Sequence, residues 1–505
     1  MDMLGILDVP LYVPLAVAAA LFLYIYGTRN HTYFKTQGIP GPPPYPLIGN
    51  ITGIRFFHAL TTWKQQFGNV FGVFQGAAPC FVISDLDILK EVFVKSFSVF
   101  ENRKKMPLVP YPLNLGVFFL EGAPWKRVRR IITPTFSSGK LRRMCNAIND
   151  CAGTLTRNFS KVIGKQDGVN MKEYFGAFTM DVISRTAFGI KVDSQNDFNN
   201  PFVDHAKQMF QPPKFIEPMI LLNNMLPALA ALLTKLGLGL FSQSITSFFD
   251  EAIMEMIKQR QNDSKEKREQ RTDFLQLLMD AEIGEAEGEN GHVANGKHSV
   301  GGLSTDEIVG QGTLFFNAGY ETTASTLNFA SHHLATNPDV QEEAYTEMKE
   351  ILGDEEPNFD NIGKLKYLDN IITETLRICP PVFVIHRRAS ETIQIKGLTI
   401  HQGQTVIIPV LALQRDPQLF KDPNSFKPER HDEKSNPLSF LAFGYGPRIC
   451  IGMRLALVET KIALVHVLRR VKFERMPNTK DELTFKQSVI LTPAEDIVLK
   501  ISPRF

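Results

Sequence analysis

The chain opens on an apolar run: from Val9 to Gly27 no position carries a charge, and the run is about as long as a helix needs to cross a bilayer. Pro10 and Pro14 lie near its start, where a helix tolerates proline. No Lys or Arg precedes it, while Arg29 and Lys35 follow, so the positive-inside bias turns the rest of the chain to the cytosol. A cleaved signal peptide is the rival, but its basic leader is missing and the apolar stretch is long for one. Next, Gly38-Ile39-Pro40-Gly41-Pro42-Pro43-Pro44-Tyr45-Pro46 predicts a stiff, extended connector. Phe71 to Phe74 and Pro79 to Ile83 predict a short hairpin. Helical periods dominate from there, and strand-like patches return at Ile393 to Ile395 and Thr405 to Ile408. Ser304-Thr305-Asp306-Glu307 reads as a capping box. It opens a long helix running to about Thr336, with Pro338 as its stop. Ile451, Leu455, Val458, Ile462 and Val465 alternate steps of four and three and share one face of a later helix. Pro218 to Thr234 is a second apolar run, too interrupted by Asn223, Asn224 and Pro227 to make a span. Glu282 to Gly302 has no apolar period and reads as a surface loop.

Composition narrows the class. With 505 residues, 44% of them hydrophobic, the chain can bury a large core. Phe is frequent, at 38 against 2 Trp and 11 Tyr, which suits a roomy apolar pocket, though core packing explains most of it. A net charge of +2 gives no argument for a nucleic-acid partner. Five cysteines, odd in number and scattered, argue against a disulfide framework and for the reducing side of a membrane. In that orientation the acceptor-like Asn158-Phe159-Ser160 is accidental. The stretch from Trp125 to Met144 is basic without an acid, which by itself predicts a solvated face.

The chemistry concentrates in Phe443-Gly444-Tyr445-Gly446-Pro447-Arg448-Ile449-Cys450-Ile451-Gly452. It sets one cysteine at a glycine-rich turn before an amphipathic helix. Unpaired N–H groups and the positive end of the helix dipole favour thiolate, the metal-binding form. Gly444 and Gly446 let the backbone curl close to the sulfur, and Arg448 offers a cation to an acidic group of a cofactor. Cys80, Cys145, Cys151 and Cys379 read as small buried hydrophobes. The segment resembles the haem-binding signature of the cytochrome P-450 family, in which the thiolate is the proximal ligand of haem iron.

That resemblance implies a mostly α fold with small β-sheets (α+β), the cytochrome P-450 fold, behind one N-terminal transmembrane helix. The implied division is 1–27 membrane anchor, 28–50 basic and proline-rich linker, and 51–505 haem-thiolate catalytic domain. Ala318-Gly319-Tyr320-Glu321-Thr322-Thr323 looks like the family's oxygen-activating block. Gly319 would make room for oxygen. Thr322 would back-bond to a carbonyl one turn earlier and open the helix for water. Glu321 and Thr322 would form a carboxylate and hydroxyl pair that relays protons. Packing accommodation is the plainer account of a mid-helix Gly and Thr. Glu374 and Arg377, three apart, are implied to form a buried triad with Arg430 of Phe426-Lys427-Pro428-Glu429-Arg430, bracing the cysteine loop. Arg103, Trp125, Arg129, Arg387 and Arg448 are implied to hold the haem carboxylates. Phe118, Phe119, Phe315, Asn317, Ala318, Val384 and Val489 are implied to line the substrate pocket, drawn from segments 109–120, 202–215, 314–318, 382–385 and 488–490. Plain core packing is the alternative for each Phe, and Asn317 has a second option, facing another helix. The region after Pro218 is implied to dip into the membrane; an internal helical hairpin is the alternative. Lys126, Arg127, Arg130, Lys140, Arg142 and Arg143 are implied to dock an acidic electron donor.

Asp181-Val182-Ile183, Ala187-Phe188-Gly189 and Asp273-Phe274-Leu275 bring the resemblance to the microsomal branch that holds the drug-metabolising family-three enzymes and thromboxane synthase. It implies a haem-thiolate monooxygenase of the endoplasmic reticulum membrane, single-pass, with a cytosolic catalytic domain. Its cofactor would be haem b (iron protoporphyrin IX), with O2 as co-substrate. Electrons would come from NADPH through NADPH–cytochrome P-450 reductase, with cytochrome b5 as a second partner. Substrates would be lipophilic small molecules: xenobiotics, steroids or fatty-acid-like compounds. A peroxide isomerase of the thromboxane synthase type on the same scaffold is the alternative, and Thr322 favours oxygenation over it. A haem sensor without turnover would need neither Thr322 nor a deep pocket.

Overall fold

A computed structural model describes residues 10–505 apart from 51–55, 107, 212–218, 220–221, 224–225, 237, 240, 272, 282–301, 434, 487 and 505. Val9, most of the Glu282 to Gly302 loop and the start of the Pro218 run therefore lie outside the described residues. The first helix, α1, spans Tyr12–Thr28 and buries only Gly27. Among the described residues no helix is long and apolar enough to cross a membrane. With 17 residues, α1 reaches about 26 Å at 1.5 Å per residue, against a hydrocarbon core of about 30 Å. The expected transmembrane helix is thus found as a shorter apolar helix.

The predicted hairpin forms as β1 (Val70–Gln75) and β2 (Ala78–Ile83). The helices that follow are α2 (Gly122–Ile132) and α3 (Ser138–Lys161), then β3 (Val169–Asn170), α4 (Met171–Phe188) and α5 (Pro201–Met209). Next come α6 (Pro227–Lys235), α7 (Gln243–Gln261), α8 (Phe274–Asp280), α9 (Thr305–Thr336), α10 (Pro338–Leu352) and α11 (Lys366–Ile378). Strands β4 (Ile385–Arg388), β5 (Ile393–Ile395), β6 (Leu398–Ile400) and β7 (Thr405–Ile408) lead to α12 (Val410–Gln414) and α13 (Met453–Leu468). Short strands β8 (Val471–Glu474), β9 (Phe485–Lys486), β10 (Thr492–Pro493) and β11 (Val498–Pro503) close the chain. The largest sheet has the order β1-β2-β7-β4. Only β2 and β7 pair in parallel there. The architecture is therefore mostly helical with small sheets at one side.

Helix α9 runs as predicted from the capping box, in which Ser304 Oγ accepts from Glu307 N and the Glu307 carboxylate accepts from Ser304 N. It is buried on most of its circumference, the mark of a core helix. Small residues let it seat on α4. A Cβ on Gly176 would lie 3.1 Å from Tyr320 Oη, and one on Gly319 would lie 2.8 Å from Ile183 Cδ1. The rings of Phe188 and Phe316 stack at 3.8 Å. Asn158 is buried in α3 and donates to the Gln195 carbonyl, so it presents no surface to a glycosylating enzyme.

Asp181 pins the turn after α4. Its buried carboxylate accepts from Ser194 N and Oγ, both at 2.7 Å, and from Gln195 N and Nε2 at 3.3 and 3.1 Å. Asp181→Ala would strand these donors in the core. We expect it to cost about 2–5 kcal/mol and to lower the thermal midpoint; an unchanged melting curve would contradict the assignment.

Candidate functional site

The cysteine loop is shaped by its own backbone. Gly444 N donates to Leu441 O at 2.8 Å and Cys450 N to Phe443 O at 2.9 Å, folding the segment back on itself. Gly444 and Gly446 have φ of 74° and 72°, in the region that favours glycine. A Cβ on Gly446 would lie 2.2 Å from Phe93 O, so no side chain fits there. The Cys450 thiol receives backbone N–H groups of Gly452 and Met453 at the head of α13. The other four cysteines are buried; Cys450 is exposed.

Desolvation nevertheless pushes the Cys450 thiol above its ordinary pKa, against the pull of the Gly452 and Met453 N–H groups and the charges of Arg129 and Arg103. The two N–H groups pull toward thiolate, as expected from the sequence, while desolvation opposes them. The two facts, exposed yet desolvated, agree if the sulfur faces an enclosed space. Ala318 is exposed in the middle of the mostly buried α9. Phe118, Val382 and Val489 also keep large apolar surface.

Positive charge surrounds this space. Arg387 is 1% exposed and Arg448 3% exposed. Burial, then repulsion from Arg103 and Arg448, holds Arg387 well below the usual guanidinium range. Burial, then Arg103, brings Arg448 down to about 9. Arg103 falls to about 10 through burial and then Arg129. Arg387 Nε and Arg448 Nε and Nη1 are buried without a hydrogen-bond partner. Arg448 Nη2 donates to Leu120 O, Arg103 Nη1 to Phe118 O and Arg129 Nη2 to Ile449 O. Trp125 lies under Arg448, with Cζ 4.1 Å from the ring centre. Arg388, by contrast, is occupied by both oxygens of Glu121 at 2.8 Å, which favours Arg387 over its neighbour. Converging buried cations with free N–H groups call for an anion carrying more than one charge. Among the described residues no group of three or more His, Cys, Asp or Glu can hold a metal. A metal on Cys450 would take its other ligands from a non-protein group. A dicarboxylate macrocycle such as haem fits both demands, and a metal cation on the sulfur would supply the charge that desolvation asks for.

Behind the loop, Glu374 and Arg377 have no exposed surface. Arg377 Nε and Nη2 donate to Glu374 at 2.7 and 2.9 Å, and Arg430 Nε donates at 2.8 Å. The three expected residues are thus brought together. Two partners carried no sequence signal that was used. His431 Nε2 lies 2.9 Å from Glu374 Oε2; its place directly after Arg430 was the available clue. Gln414, fully buried in α12, links the pair to the cysteine loop. Its backbone carbonyl accepts from Arg377 Nη1, its Nε2 donates to Leu376 O and Arg377 O, and its Oε1 accepts from Leu441 N at 2.7 Å.

On α9, Thr322 Oγ1 donates to Ala318 O at 2.7 Å, the back-bond expected from sequence. Three other expectations need correction. The Gly319 position is filled by Ile183, so glycine there serves packing and does not open space beside the sulfur. The Glu321 carboxylate does not meet Thr322; it is buried against Lys172 Nζ of α4 at 2.7 Å. Phe315 packs on Phe274 and Phe136, with ring centres 4.2 and 5.7 Å away, and so belongs to the core. Asn317 is buried and donates to Thr313 O one turn earlier in α9, while its Oδ1 has no hydrogen-bond partner among the described residues. Phe119 and Val384 are half-buried. Of the basic stretch, Lys126 pairs with Glu101, Arg127 with Glu307 and Arg142 with Asp360. Among the described residues Arg130, Lys140 and Arg143 have no such acid.

The cytochrome P450 family model matches residues 39–501. The chain is 36% identical to cytochrome P450 3A5 of Homo sapiens over 511 residues, covering 100% of this chain and 99% of the relative. It is 36% identical to cytochrome P450 3A29 of Sus scrofa, with the same coverage of each. It is 37% identical to cytochrome P450 3A9 of Rattus norvegicus, covering 97% of this chain and 96% of the relative.

Burial alone would raise the Glu374 carboxyl, but hydrogen bonds from Arg377 and His431 outweigh it and hold the value at about 2. A depressed carboxyl contributes stability above its unfolded value that is lost on acidification. Stability should therefore fall between about pH 4.5 and about 2. Glu374→Gln should remove this component, cost about 3–5 kcal/mol and abolish the thiolate-type band on reduction under carbon monoxide. A variant with a full band would refute the bracing role.

Proposed function

This chain belongs to the cytochrome P450 family and is a haem-dependent monooxygenase using O2 and NADPH-derived electrons. From that premise we propose that it inserts one oxygen atom into lipophilic substrates, with NADPH–cytochrome P450 reductase as electron donor and cytochrome b5 as a second partner. The observation that carries the reading is the exposed Cys450 sulfur on its glycine turn, with Arg103 and Arg129 near enough to act on its charge and the buried Arg387 and Arg448 beside Arg103. Haem bound through Cys450 supplies the oxygen activation. Arg387 and Arg448, with unpartnered N–H groups, hold its carboxylates, and Arg103, Arg129 and Trp125 complete that binding edge. Ala318 and Phe118 bound the substrate side, and Val489 closes it from the C-terminal segment. Thr322 presents a hydroxyl whose proton is given to Ala318 O, leaving its lone pairs to accept from water. Glu321 reaches this hydroxyl only after parting from Lys172. The peroxide isomerase reading has no need of that hydroxyl, which favours oxygenation.

The membrane arrangement follows from exposed apolar surface. We assign residues 1–27 to an anchor, 28–50 to the linker and 51–505 to the catalytic domain, attached to the endoplasmic reticulum membrane with its body in the cytosol. Leu229 and Leu232 on α6 and Leu236 at its C-cap are exposed at steps of three and four, along one side of the helix. Ala230 packs inward with Leu108 and Met219. This face is the second membrane contact and the side from which lipophilic substrates enter. We assign docking of the electron donor to Arg130, Lys140 and Arg143, which have no acidic partner among the described residues.

Two tests follow. With reductase and NADPH, Thr322→Ala should keep substrate binding but release several-fold more hydrogen peroxide per NADPH consumed; unchanged coupling would remove the hydroxyl from the mechanism. Deletion of residues 1–28 should leave partial binding to phospholipid vesicles, and adding Leu229→Ser, Leu232→Ser and Leu236→Ser should abolish it. A truncated protein that is already free of vesicles would exclude the second contact.

A further inference from the structure

The wall of the enclosed space carrying Phe118 is a loop with no regular structure beyond a short turn at Leu113–Leu115. Its placement needs external support, and at Leu115 and Val117 that support is one side chain of α9. Gln311 has no exposed surface. Its Oε1 accepts from Val117 N at 2.7 Å, and its Nε2 donates to Leu115 O at 2.7 Å and to Glu307 O at 3.2 Å. The amide therefore grips the loop by a carbonyl and an N–H two residues apart, while its remaining proton returns to its own helix. Few side chains other than a primary amide offer a planar acceptor and two donors in this way.

The surroundings are shaped for this grip. A Cβ on Gly310 would lie 2.4 Å from Pro112 O. One on Gly116 would lie 3.0 Å from both Leu314 Cδ2 and Leu113 O. Two glycines, one on each side of the contact, thus allow helix and loop to close to the distance the amide needs. Gln311, Leu314, Ala318 and Thr322 follow at steps of three and four, so they share one face of α9. The gripped loop is therefore in line with the Ala318 opening, about 10 Å along the helix. Downstream the loop is held again: Arg103 Nη1 donates to Phe118 O at 2.9 Å and stacks over that ring with Cζ 4.2 Å from its centre. Arg448 Nη2 donates to Leu120 O at 2.8 Å. The wall is suspended between α9 and two arginines of the cationic cluster.

We propose that Gln311 is a positioning residue that sets pocket size, by fixing the distance of the Phe118 wall from α9. This rests on the haem-monooxygenase reading above. Without the amide, Leu115 O and Val117 N lose their partners, and the middle of the loop is left between the Tyr111–Asp306 hydrogen bond upstream and the two arginines downstream.

The test uses the full-length haem-loaded protein and two variants, Gln311→Met, which keeps the volume, and Gln311→Glu, which keeps the acceptor for Val117 N. Imidazole, 4-phenylimidazole and clotrimazole serve as probes of increasing bulk, read by the shift of the haem absorption. Gln311→Met should improve the affinity for clotrimazole relative to imidazole by at least fivefold, and hydrogen exchange of the 113–120 segment should quicken by at least tenfold. Gln311→Glu should fall between it and the parent, which keeps the test open if Gln311→Met fails to fold. A relative affinity unchanged in a folded variant overturns the proposal, even if stability drops. If the parent protein shows no thiolate-type band under carbon monoxide, the haem reading fails first and this inference with it. A normal parent band with unchanged ratios sinks the inference alone.

Discussion

The site depends on one carboxylate that cannot reach water. Glu374 is fully buried, and a buried charge persists only where partners meet its oxygens. Here it accepts from Arg377, Arg430, His431 and the Lys427 backbone N–H. Arg377 lies on α11 with Glu374, while Lys427, Arg430 and His431 come from one short segment that the carboxylate draws to that helix. Arg377 in turn fixes the Gln414 and Pro423 carbonyls, and the Gln414 amide fixes Leu441 N, three residues before the first glycine of the cysteine loop. The sulfur thus takes its place from a chain of contacts starting in α11, which the loop itself does not contain. Such a network need not add net stability; it specifies one geometry for a loop whose glycines would otherwise permit many.

The cationic side follows the opposite logic. Where Glu374 is over-supplied with donors, Arg387 and Arg448 are under-supplied with acceptors, and they repel Arg103 and each other. A folded state that gathers uncompensated cations is stabilised by whatever anion binds it and not the unfolded chain. Haem would meet this condition with its carboxylates, and its metal would meet the demand of the desolvated sulfur. Cofactor binding and folding are therefore linked through the same few side chains.

What could be read from sequence was local. The capping box at Ser304, the turn before Cys450 and the Glu374–Arg377 spacing all lie within four residues or one short loop, where backbone geometry fixes the outcome. What escaped was long-range: Gln414 to Leu441, Gln311 to Leu115 and Val117, and Lys172 to Glu321 join residues that no period relates. The misassignments on α9 have a single cause. A helix buried almost all round shows no amphipathic contrast, so its sequence does not say which face meets the site. Phe315 and Gly319 turn toward α4 and its neighbours, while Ala318, one residue from Gly319 and about 100° around the helix, turns to the open space.

That same rotation bears on how protons enter. Glu321 and Thr322 are adjacent in sequence, yet one looks to α4 and the other toward the space beside Ala318. Lys172, at the head of α4 with 24% of its side chain exposed, connects Glu321 to solvent. Ser325 Oγ stands 3.0 Å from the same Nζ, which gives the ammonium a second acceptor when the carboxylate leaves. On the function proposed, the acid is therefore held at the solvent-connected edge of α9 and the hydroxyl at its inner edge. Thr322 and Thr326 each donate their hydroxyl to a carbonyl one turn earlier. Such back-bonding competes with the helical ladder and eases local opening. The ion pair with Lys172 thus holds the acid on the α4 side of the helix, one residue from a hydroxyl that faces the other way.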